Sequence, residues 1–433
     1  MTVLSGALLI QGGRVIDPAN HLDHEKDLLI KDGKILAIDN PGSIPVAPGS
    51  EFLKLSGQWI LPGFIDVHVH LREPGLEYKE TIATGTAAAV AGGFTSVACM
   101  ANTQPVNDSA YVTTFIRERA KETAVCRVFP IGAVTKGLKG EELAEIGSMI
   151  AAGACALSDD GMPVMNSYLM RKALDYAKAF DVAVISHAED ANLVGQGVMN
   201  EGALSNALGL RGNPAAAEEI MVAREIALCR LTKARVHIAH VSTALAVELI
   251  KRAKEEGLPL TAEVCPHHLV LDETCLQTYD TNCKMAPPLR TAKDTECLVA
   301  ALASGVIDMI ATDHAPHGVV DKCVEFDRAS NGILGLQTAV PLTYELVARG
   351  LISRNRWIDS LTASPAKLIN HPELGSVRVG GGADLTIFDS KASWLYDQRQ
   401  NVSKSSNSPF FGFKLNSKIG ATIVGGKLVY QNS

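Results

Sequence analysis

The sequence places histidines and aspartates in short clusters that could bind metal ions. His68 and His70 alternate with valines at the end of an apolar run, within "LPGFIDVHVHLREPG". Residues two apart in a β-strand point to the same face, so both imidazoles could reach one ion. The pair alone also fits a strand tip with solvated histidines, so the other clusters must decide.

Further candidate ligands follow other short apolar runs. The segments are "ALSDDG" with Asp159 and Asp160, "VISHAED" with His187, "VHIAHVS" with His237 and His240, and "IATDHAPH" with Asp313, His314 and His317. His237 and His240 face opposite sides of a regular strand, and His240, nearer the strand end, is the better ligand. Asp159 and Asp160 also face opposite sides, and spacing alone does not choose between them.

Eight short apolar segments alternate with helical stretches between the two chain ends. They are "GFIDVHVH", "GFTSVACMA", "CRVFPIGA", "GACALSDDG", "VAVISHAED", "ARVHIAHVS", "LPLTAEVCPHH" and "DMIATDHAPH". Repeated β-α units predict a parallel α/β sheet, and eight of them predict a (β/α)8 TIM-type barrel with its active site at the carboxyl ends of the strands. An open doubly wound sheet is the alternative, but no G-x-G-x-x-G turn supports it.

Both chain ends carry strand-turn-strand patterns, such as "KDLLIKDGKILAID" and "IGATIVGGKLVYQNS". We predict that residues 1–57 and 372–433 pair into one small β-sandwich domain beside a barrel domain of residues 58–371. Two separate decorations of the barrel are the alternative.

Composition excludes several classes of protein. The 433 residues carry a formal charge of -7 without a basic excess, which argues against a nucleic-acid surface. Apolar runs stay shorter than the ~18 residues that a membrane span needs. The nine cysteines are scattered and odd in number, which predicts reduced thiols in a cytoplasmic protein.

The candidate ligands exceed what one tetrahedral zinc ion can use. They suit two ions ~3.5–4 Å apart with a shared oxygen ligand. Such a pair lowers the pKa of a trapped water, which favours attack on an amide or ester carbon. Asp313 could then carry a proton to the leaving nitrogen.

Arg72 follows the two histidines of "DVHVH" on the same strand face. A guanidinium beside two cations is costly unless it meets an anion, which a substrate carboxylate would supply through paired hydrogen bonds. Asn102 and His317 offer further polar contacts. The alternative is that Arg72 forms surface ion pairs with Glu73 or Glu77.

These motifs resemble those of bacterial dihydroorotases of the long-chain class (class I) in the amidohydrolase superfamily. The resemblance covers nearly the whole chain, through "LPGFIDVHVHLREPG", "GGFTSVACMANTQP", "ALSDDGMPV", "ATDHAPH" and "IGATIVGGKLVY". It implies reversible hydrolysis of dihydroorotate to carbamoyl aspartate in pyrimidine synthesis. It also implies two Zn²⁺ per chain, a homodimer and, as a further option, a complex with aspartate transcarbamoylase.

By position, the resemblance implies a role for each candidate. The implied metal ligands are His68, His70, Asp160, His187, His240 and Asp313, with Asp313 also the catalytic acid and base. The implied substrate contacts are His70, Arg72, Asn102, Ala286, His317, Asn331 and Gly332. The chain departs from the family pattern at Ala286 in "KMAPPLR", at Asn331 and at Gln337 in "GLQT", which bears on how the ring is recognised.

Two other functions compete with this interpretation. Another cyclic amidase, such as a hydantoinase, dihydropyrimidinase or allantoinase, would share the fold. Arg72 with Asn102 favours a carboxylate-bearing substrate instead, and Asp160 stands where several relatives carry a carboxylated lysine. A non-catalytic scaffold for aspartate transcarbamoylase would be free to lose metal ligands, whereas all six are present here. A structural zinc site would be closed and mononuclear.

Overall fold

The computed structural model describes residues 6–45 and 48–432, so the ends of the predicted composite domain (1–5 and 433) and residues 46–47 lie outside the described residues. The strands are β1 (Leu8–Asp17), β2 (Leu22–Lys31), β3 (Lys34–Asp39), β4 (Glu51–Lys54), β5 (Trp59–Pro62), β6 (Phe64–Val69), β7 (Phe94–Cys99), β8 (Arg127–Gly132), β9 (Ala156–Ser158), β10 (Val184–Ser186), β11 (Met199–Asn200), β12 (Gly212–Asn213), β13 (Val236–Ile238), β14 (Leu260–Val264), β15 (Met309–Ile310), β16 (Leu385–Asp389), β17 (Trp394–Leu395), β18 (Lys414–Leu415), β19 (Lys418–Val424) and β20 (Lys427–Gln431).

The helices cover the barrel and the connections between its strands. They are α1 (Ile82–Ala91), α2 (Ala110–Thr123), α3 (Ile146–Ala151), α4 (Ser167–Lys178), α5 (Ala191–Val194), α6 (Ala203–Leu208), α7 (Ala216–Thr232), α8 (Ala244–Glu255), α9 (Pro266–Val270), α10 (Ala292–Ser304), α11 (Val319–Lys322), α12 (Leu336–Ala348), α13 (Arg354–Leu361) and α14 (Ala363–Leu368). In this part of the chain, none of them combines the length and apolarity that crossing a membrane requires.

Eight parallel strands form the barrel. In chain order they are β6, β7, β8, β9, β10, β13, β14 and β15, and each lies within one of the eight predicted segments. A parallel bridge between Val69 and His314 links the last strand to the first. An apolar cluster drawn from most of these strands, including Ile65, Ile131 and Ile185, fills the barrel interior. The predicted (β/α)8 barrel is therefore confirmed.

The two chain ends form one sheet, in the order β20-β19-β16-β5-β1-β2-β3, with β4 paired to β1. A single core takes residues from both ends, among them Leu28, Ile60 and Leu385. The sheet curls over this core, since the Ile35 N–H of β3 donates to the Gly381 carbonyl, just ahead of β16, at 3.0 Å. The predicted sandwich from both ends is thus confirmed, against two separate decorations.

Aromatic rings join this small domain to the barrel. The fully buried Trp357 ring lies 5.7 Å from Phe64 of β6 and 5.4 Å from Phe388 of β16. Edge and tilted contacts of this kind add to the apolar area that the rings bury. The barrel is therefore packed firmly against the sheet that both chain ends build.

The chain between β16 and β19 leaves the small sheet. β17 and β18 pair with each other, and Tyr396 and Phe410 pack with Leu276 and Met285 of the barrel connections. Polar residues between β17 and β18, among them Ser405 and Asn407, form hydrogen bonds with the loops after β6 and β15. The range 372–433 therefore serves both the sandwich and the barrel, and the domain limits at 57 and 372 stay a prediction.

Candidate active site

The histidines of β6 meet two aspartates from distant strands. His68 Nε2 lies 3.3 Å from Asp160 Oδ1 and 3.4 Å from Asp313 Oδ1. His70 Nε2 lies 2.9 Å from Asp313 Oδ1 and 3.4 Å from Asp160 Oδ2. These four side chains form a compact cluster of metal-ligating types.

A second cluster shares Asp160 with the first. His187 Nδ1 and His240 Nε2 each lie 3.5 Å from Asp160 Oδ1, and 2.9 Å from each other. Within each cluster, the candidate ligand atoms lie within 4.8 Å of one another. The structure thus brings together all six predicted ligands, with one carboxylate between two groups of histidines.

Asp159 points away from these clusters and holds the turn after β8. Its Oδ1 accepts hydrogen bonds from the Val134 N–H at 2.7 Å and the Thr135 N–H at 3.1 Å. Burial raises the pKa of Asp159 to about 6, against the hydrogen bonds from Thr135. The hydrogen bonds from this turn therefore assign Asp159 to the fold, and Asp160, on the opposite side, belongs to the candidate site.

The donor set fits divalent cations. Two ligands on a tetrahedral zinc ion with bonds of 2.0–2.1 Å lie about 3.3 Å apart. Four imidazole nitrogens lie 3.3 to 3.5 Å from the Asp160 oxygens. Among the described residues, His68 Nε2 and Asp160 Oδ1 are buried without a hydrogen-bond partner. Buried polar atoms rarely stay unpaired, and bound cations would satisfy both.

The charges of the site also favour cations. Burial would lower the pKa of His68, but Asp160 and Glu263 raise it well above its ordinary value. His187 is likewise raised, to a pKa of about 10, because Asp160 and Glu189 outweigh its burial. Bound cations would replace these protons, since metals bind the neutral imidazole.

Two glutamates that the sequence analysis missed, the buried Glu263 and the half-buried Glu189, orient the histidines. Glu263 Oε1 lies 2.6 Å from His68 Nδ1, and its Oε2 lies 3.0 Å from His237 Nε2. Glu189 Oε2 lies 3.3 Å from His187 Nε2. Such partners fix the orientation of ligating rings. Glu263 could have been identified from the sequence, because it is the only acidic residue in the apolar strand segment "LPLTAEV".

Three predicted site residues have left-handed backbone conformations. The φ angles are +62° at Arg72, +33° at His240 and +46° at Asp313. Such conformations cost on the order of 1–3 kcal/mol each in residues other than glycine and cluster at functional sites. The fold therefore holds these side chains where relaxed strand geometry would not place them.

Arg72 is buried near the carboxylates of the two clusters of candidate ligands. Its Nε donates to the Pro316 carbonyl at 3.2 Å, and its Nη2 lies 3.5 Å from His317 Nε2. Within the described ranges, no carboxylate oxygen lies within 4.0 Å of the Arg72 guanidinium nitrogens, which is the distance limit for an ion pair. A buried guanidinium without a carboxylate is costly, so this group is suited to an anionic ligand.

The neighbouring glutamates have other partners. Glu73 pairs with Arg119 at 2.7 Å, and Glu77 accepts the Gly75 N–H at 2.7 Å. The alternative of surface ion pairs between Arg72 and these glutamates is therefore excluded in this structure.

The other predicted substrate contacts lie around Arg72 and His70. Asn102 Oδ1 lies 2.8 Å from His70 Nδ1, which leaves its amino group as a donor. His317 Nε2 donates to the Asn331 carbonyl at 2.7 Å, and its Nδ1 lies 3.2 Å from Lys79 Nζ. Burial, together with Arg72 and Lys79, lowers the pKa of His317 to about 2, so its imidazole is neutral.

Gly332 and Ala286 flank the same region. Gly332 has a φ of +124°, and a Cβ there would lie 2.5 Å from the Ala315 Cβ, so only glycine fits. The Gly332 N–H donates to the Lys284 carbonyl at 2.9 Å, two residues before the half-buried Ala286. Both segments therefore lie close to the loop that carries His317.

Gln337 has a structural role. Its Nε2 donates to the Gln400 carbonyl at 2.9 Å, and its Oε1 accepts the Val402 N–H at 2.7 Å. This departure from the family pattern ties the C-terminal chain to α12.

The family model and the curated relatives that match this sequence agree with each other. A protein-family model described as "Dihydro-orotase-like" matches residues 57–245. The chain is 50% identical to the dihydroorotase of Anaeromyxobacter dehalogenans (strain 2CP-C) over 430 residues, 99% of each chain. It is 50% identical to the dihydroorotase of Citrifermentans bemidjiense over 424 residues, 98% of this chain and 99% of that one.

Solved structures share the fold at lower identity. The L-hydantoinase (dihydropyrimidinase) of Arthrobacter aurescens superposes with a TM-score of 0.86 at 26% identity, covering 99% of this chain and 96% of that one. The dihydropyrimidinase of Brevibacillus agri gives 0.85 at 26% identity, covering 98% and 95%.

Proposed function

The chain belongs to the dihydroorotase family, and we propose that it catalyses the reversible hydrolysis of (S)-dihydroorotate to N-carbamoyl-L-aspartate in pyrimidine synthesis. It is a cyclic amidohydrolase, as its relatives and its barrel indicate. The hydantoinase alternative has weaker support, because those structures are 26% identical, whereas the dihydroorotases reach 50%.

The buried guanidinium of Arg72 is the observation that favours dihydroorotate as the substrate. Burial lowers the pKa of Arg72, and the nearby Asp313 and Asp160 only partly offset this. A ring bearing a carboxylate would give the guanidinium its missing partner, whereas the neutral rings of hydantoin or dihydrouracil would leave it unpaired. The Asn102 amino group would donate to that carboxylate, and His317 Nε2 would do so by exchanging its bond to the Asn331 carbonyl for one to the substrate.

We propose two Zn²⁺ per chain. His68, His70 and Asp313 would hold one ion, His187 and His240 the other, and Asp160 would be shared between them. When bound, the ions polarise the scissile amide carbonyl and lower the pKa of water beside it. Glu263 and Glu189 hold the rings of His68 and His187 in place, and in this way they would orient them for the ions.

Asp313 is the proposed proton carrier. Its Oδ1 faces His70 Nε2 at 2.9 Å, and the surrounding histidines hold its pKa below its usual range despite burial. As an anion it can take a proton from the water that adds to the ring carbonyl carbon. As the C–N bond breaks, Asp313 gives that proton to the leaving ring nitrogen. In ring closure, Asp313 makes the same proton transfers in the opposite order.

Arg72→Met tests the carboxylate contact. Removing one partner of a buried charge pair costs roughly 2–5 kcal/mol, so we expect kcat/KM for dihydroorotate to fall roughly 100-fold, mainly through KM. Steady-state kinetics in both directions would measure this, with metal content determined on the same samples. The exposed Arg328→Met serves as the matched control. An unchanged KM in the Arg72 variant would exclude the carboxylate contact.

Finer assignments rest on family resemblance. We propose that the chain is of the long-chain class, acts in the cytoplasm as a homodimer, and has aspartate transcarbamoylase as a further candidate partner. We also propose the division into residues 1–57 with 372–433 and residues 58–371. The convergence of all six candidate ligands supports an active enzyme over a non-catalytic scaffold.

A further inference from the structure

A short polar segment of the C-terminal chain, Ser403–Asn407, crosses the loops that carry Arg72 and His317. We propose that this strap positions the substrate-carboxylate contacts, with Asn407 as the main positioning residue. The inference rests on the proposed function and adds residues that the family resemblance did not supply.

Asn407 is buried, with 3% of its surface exposed, and its amide is fully used. Its Oδ1 accepts the His317 N–H at 3.0 Å, while its Nδ2 donates to the carbonyls of Ala315 at 2.9 Å and Gly332 at 3.1 Å. Its own carbonyl accepts the Leu334 N–H at 2.9 Å. Only an amide side chain both accepts and donates in this way, so Asn407 fixes both ends of the loop from residue 315 to 332.

The other part of the strap binds the loop after β6. Ser405 Oγ donates to the Lys79 carbonyl at 2.6 Å, and the Lys404 N–H donates to Glu80 Oε1 at 3.2 Å. Ser403 Oγ also donates to the Glu80 carboxylate. This loop also carries Arg72, so one segment joins both sides of the proposed carboxylate site.

Besides the strap, the two loops meet through the His70 N–H, which donates to the His314 carbonyl at 2.9 Å at their base, and through the side chains of Arg72, Tyr78, Lys79 and Glu80. Lys79 Nζ lies 3.2 Å from His317 Nδ1, and Arg72 Nη2 lies 3.5 Å from His317 Nε2. A ligand held by both loops binds well only when their separation is set beforehand. The strap is itself braced, since Asn401 Nδ2 donates to the carbonyls of Ser403 and Ser405 at 3.0 and 2.7 Å.

The test is steady-state kinetics of Asn407→Ala with dihydroorotate in the zinc-loaded, full-length protein. The substrate carboxylate does not react, so misplacing its contacts weakens binding of the ground state and the transition state alike, and we expect KM to rise roughly 10- to 100-fold. Because Asn407 touches no metal ligand, kcat should change less than about threefold. Metal content should match the wild type. Ser408→Ala is the control, since Ser408 is equally buried but accepts only the Phe410 N–H.

The proposal would be overturned if the KM of the variant equalled that of the wild type. It would also be overturned if the variant only lost kcat in proportion to the fraction of protein that is folded. If Asn407→Ala does not fold, Ser405→Ala removes a single bond to the first loop and should raise KM about threefold; an unchanged KM there overturns the proposal equally. Failure of the function itself is distinguishable, because the wild type would then not turn over dihydroorotate at all.

Discussion

Asp313→Asn is expected to reduce kcat for dihydroorotate by roughly 10²- to 10⁴-fold in both directions, the range typical of a lost general acid or base. The amide keeps the shape of the side chain beside His70 but cannot carry a proton at pH 7. Both directions must fall together, because the same carboxyl group serves ring opening and ring closure. Stopped assays of both reactions on one preparation would measure the loss.

The exposed Asp327→Asn is a suitable control for this variant, because it removes one carboxylate without touching the clusters. Metal content and thermal unfolding should be measured on both proteins. Turnover of Asp313→Asn within tenfold of the wild type, at full metal content, would remove Asp313 from the proton-transfer role.

Asp160→Asn should have an even larger effect, because Asp160 belongs to both clusters of candidate metal ligands. An amide supplies one neutral oxygen and cannot neutralise two cations. We expect zinc to fall from the proposed two ions per chain to one or fewer, with turnover below detection. Atomic emission on dialysed protein measures the zinc, so the result does not depend on activity.

The adjacent Asp159→Asn is the matched control. It weakens the hydrogen bonds to Val134 and Thr135, which should destabilise the fold by roughly 1–3 kcal/mol while zinc content stays unchanged. Equal zinc content in the Asp160 and Asp159 variants would show that Asp160 does not join the two clusters.

The barrel and its ligands were predictable because their signals are local. Each candidate ligand lies near the end of an apolar strand or just after it, and the closed parallel barrel gathers the carboxyl ends of its strands at one rim. His68, His187 and His240 meet there although 172 residues separate the first from the last. The choice between Asp159 and Asp160 was beyond spacing alone, because it depends on the N–H groups of the turn after β8.

The supporting shell was much harder to predict. Glu263 contacts His68 across 195 positions, and Ser405 contacts Lys79 across 326. A polar run such as "SKSSNS" has no periodicity, so nothing in it indicates burial or a partner. Its role follows only from the path of the C-terminal chain, which tertiary packing determines.

The most direct measurement is turnover of the zinc-loaded protein with dihydroorotate, beside hydantoin, dihydrouracil and allantoin at equal concentrations. We expect hydrolysis of dihydroorotate alone, because only that ring brings a carboxylate to Arg72. Hydrolysis of a neutral ring instead would preserve the metal site but contradict the carboxylate contact. No hydrolysis of any of them would contradict the proposed function and favour a dihydroorotase-like scaffold.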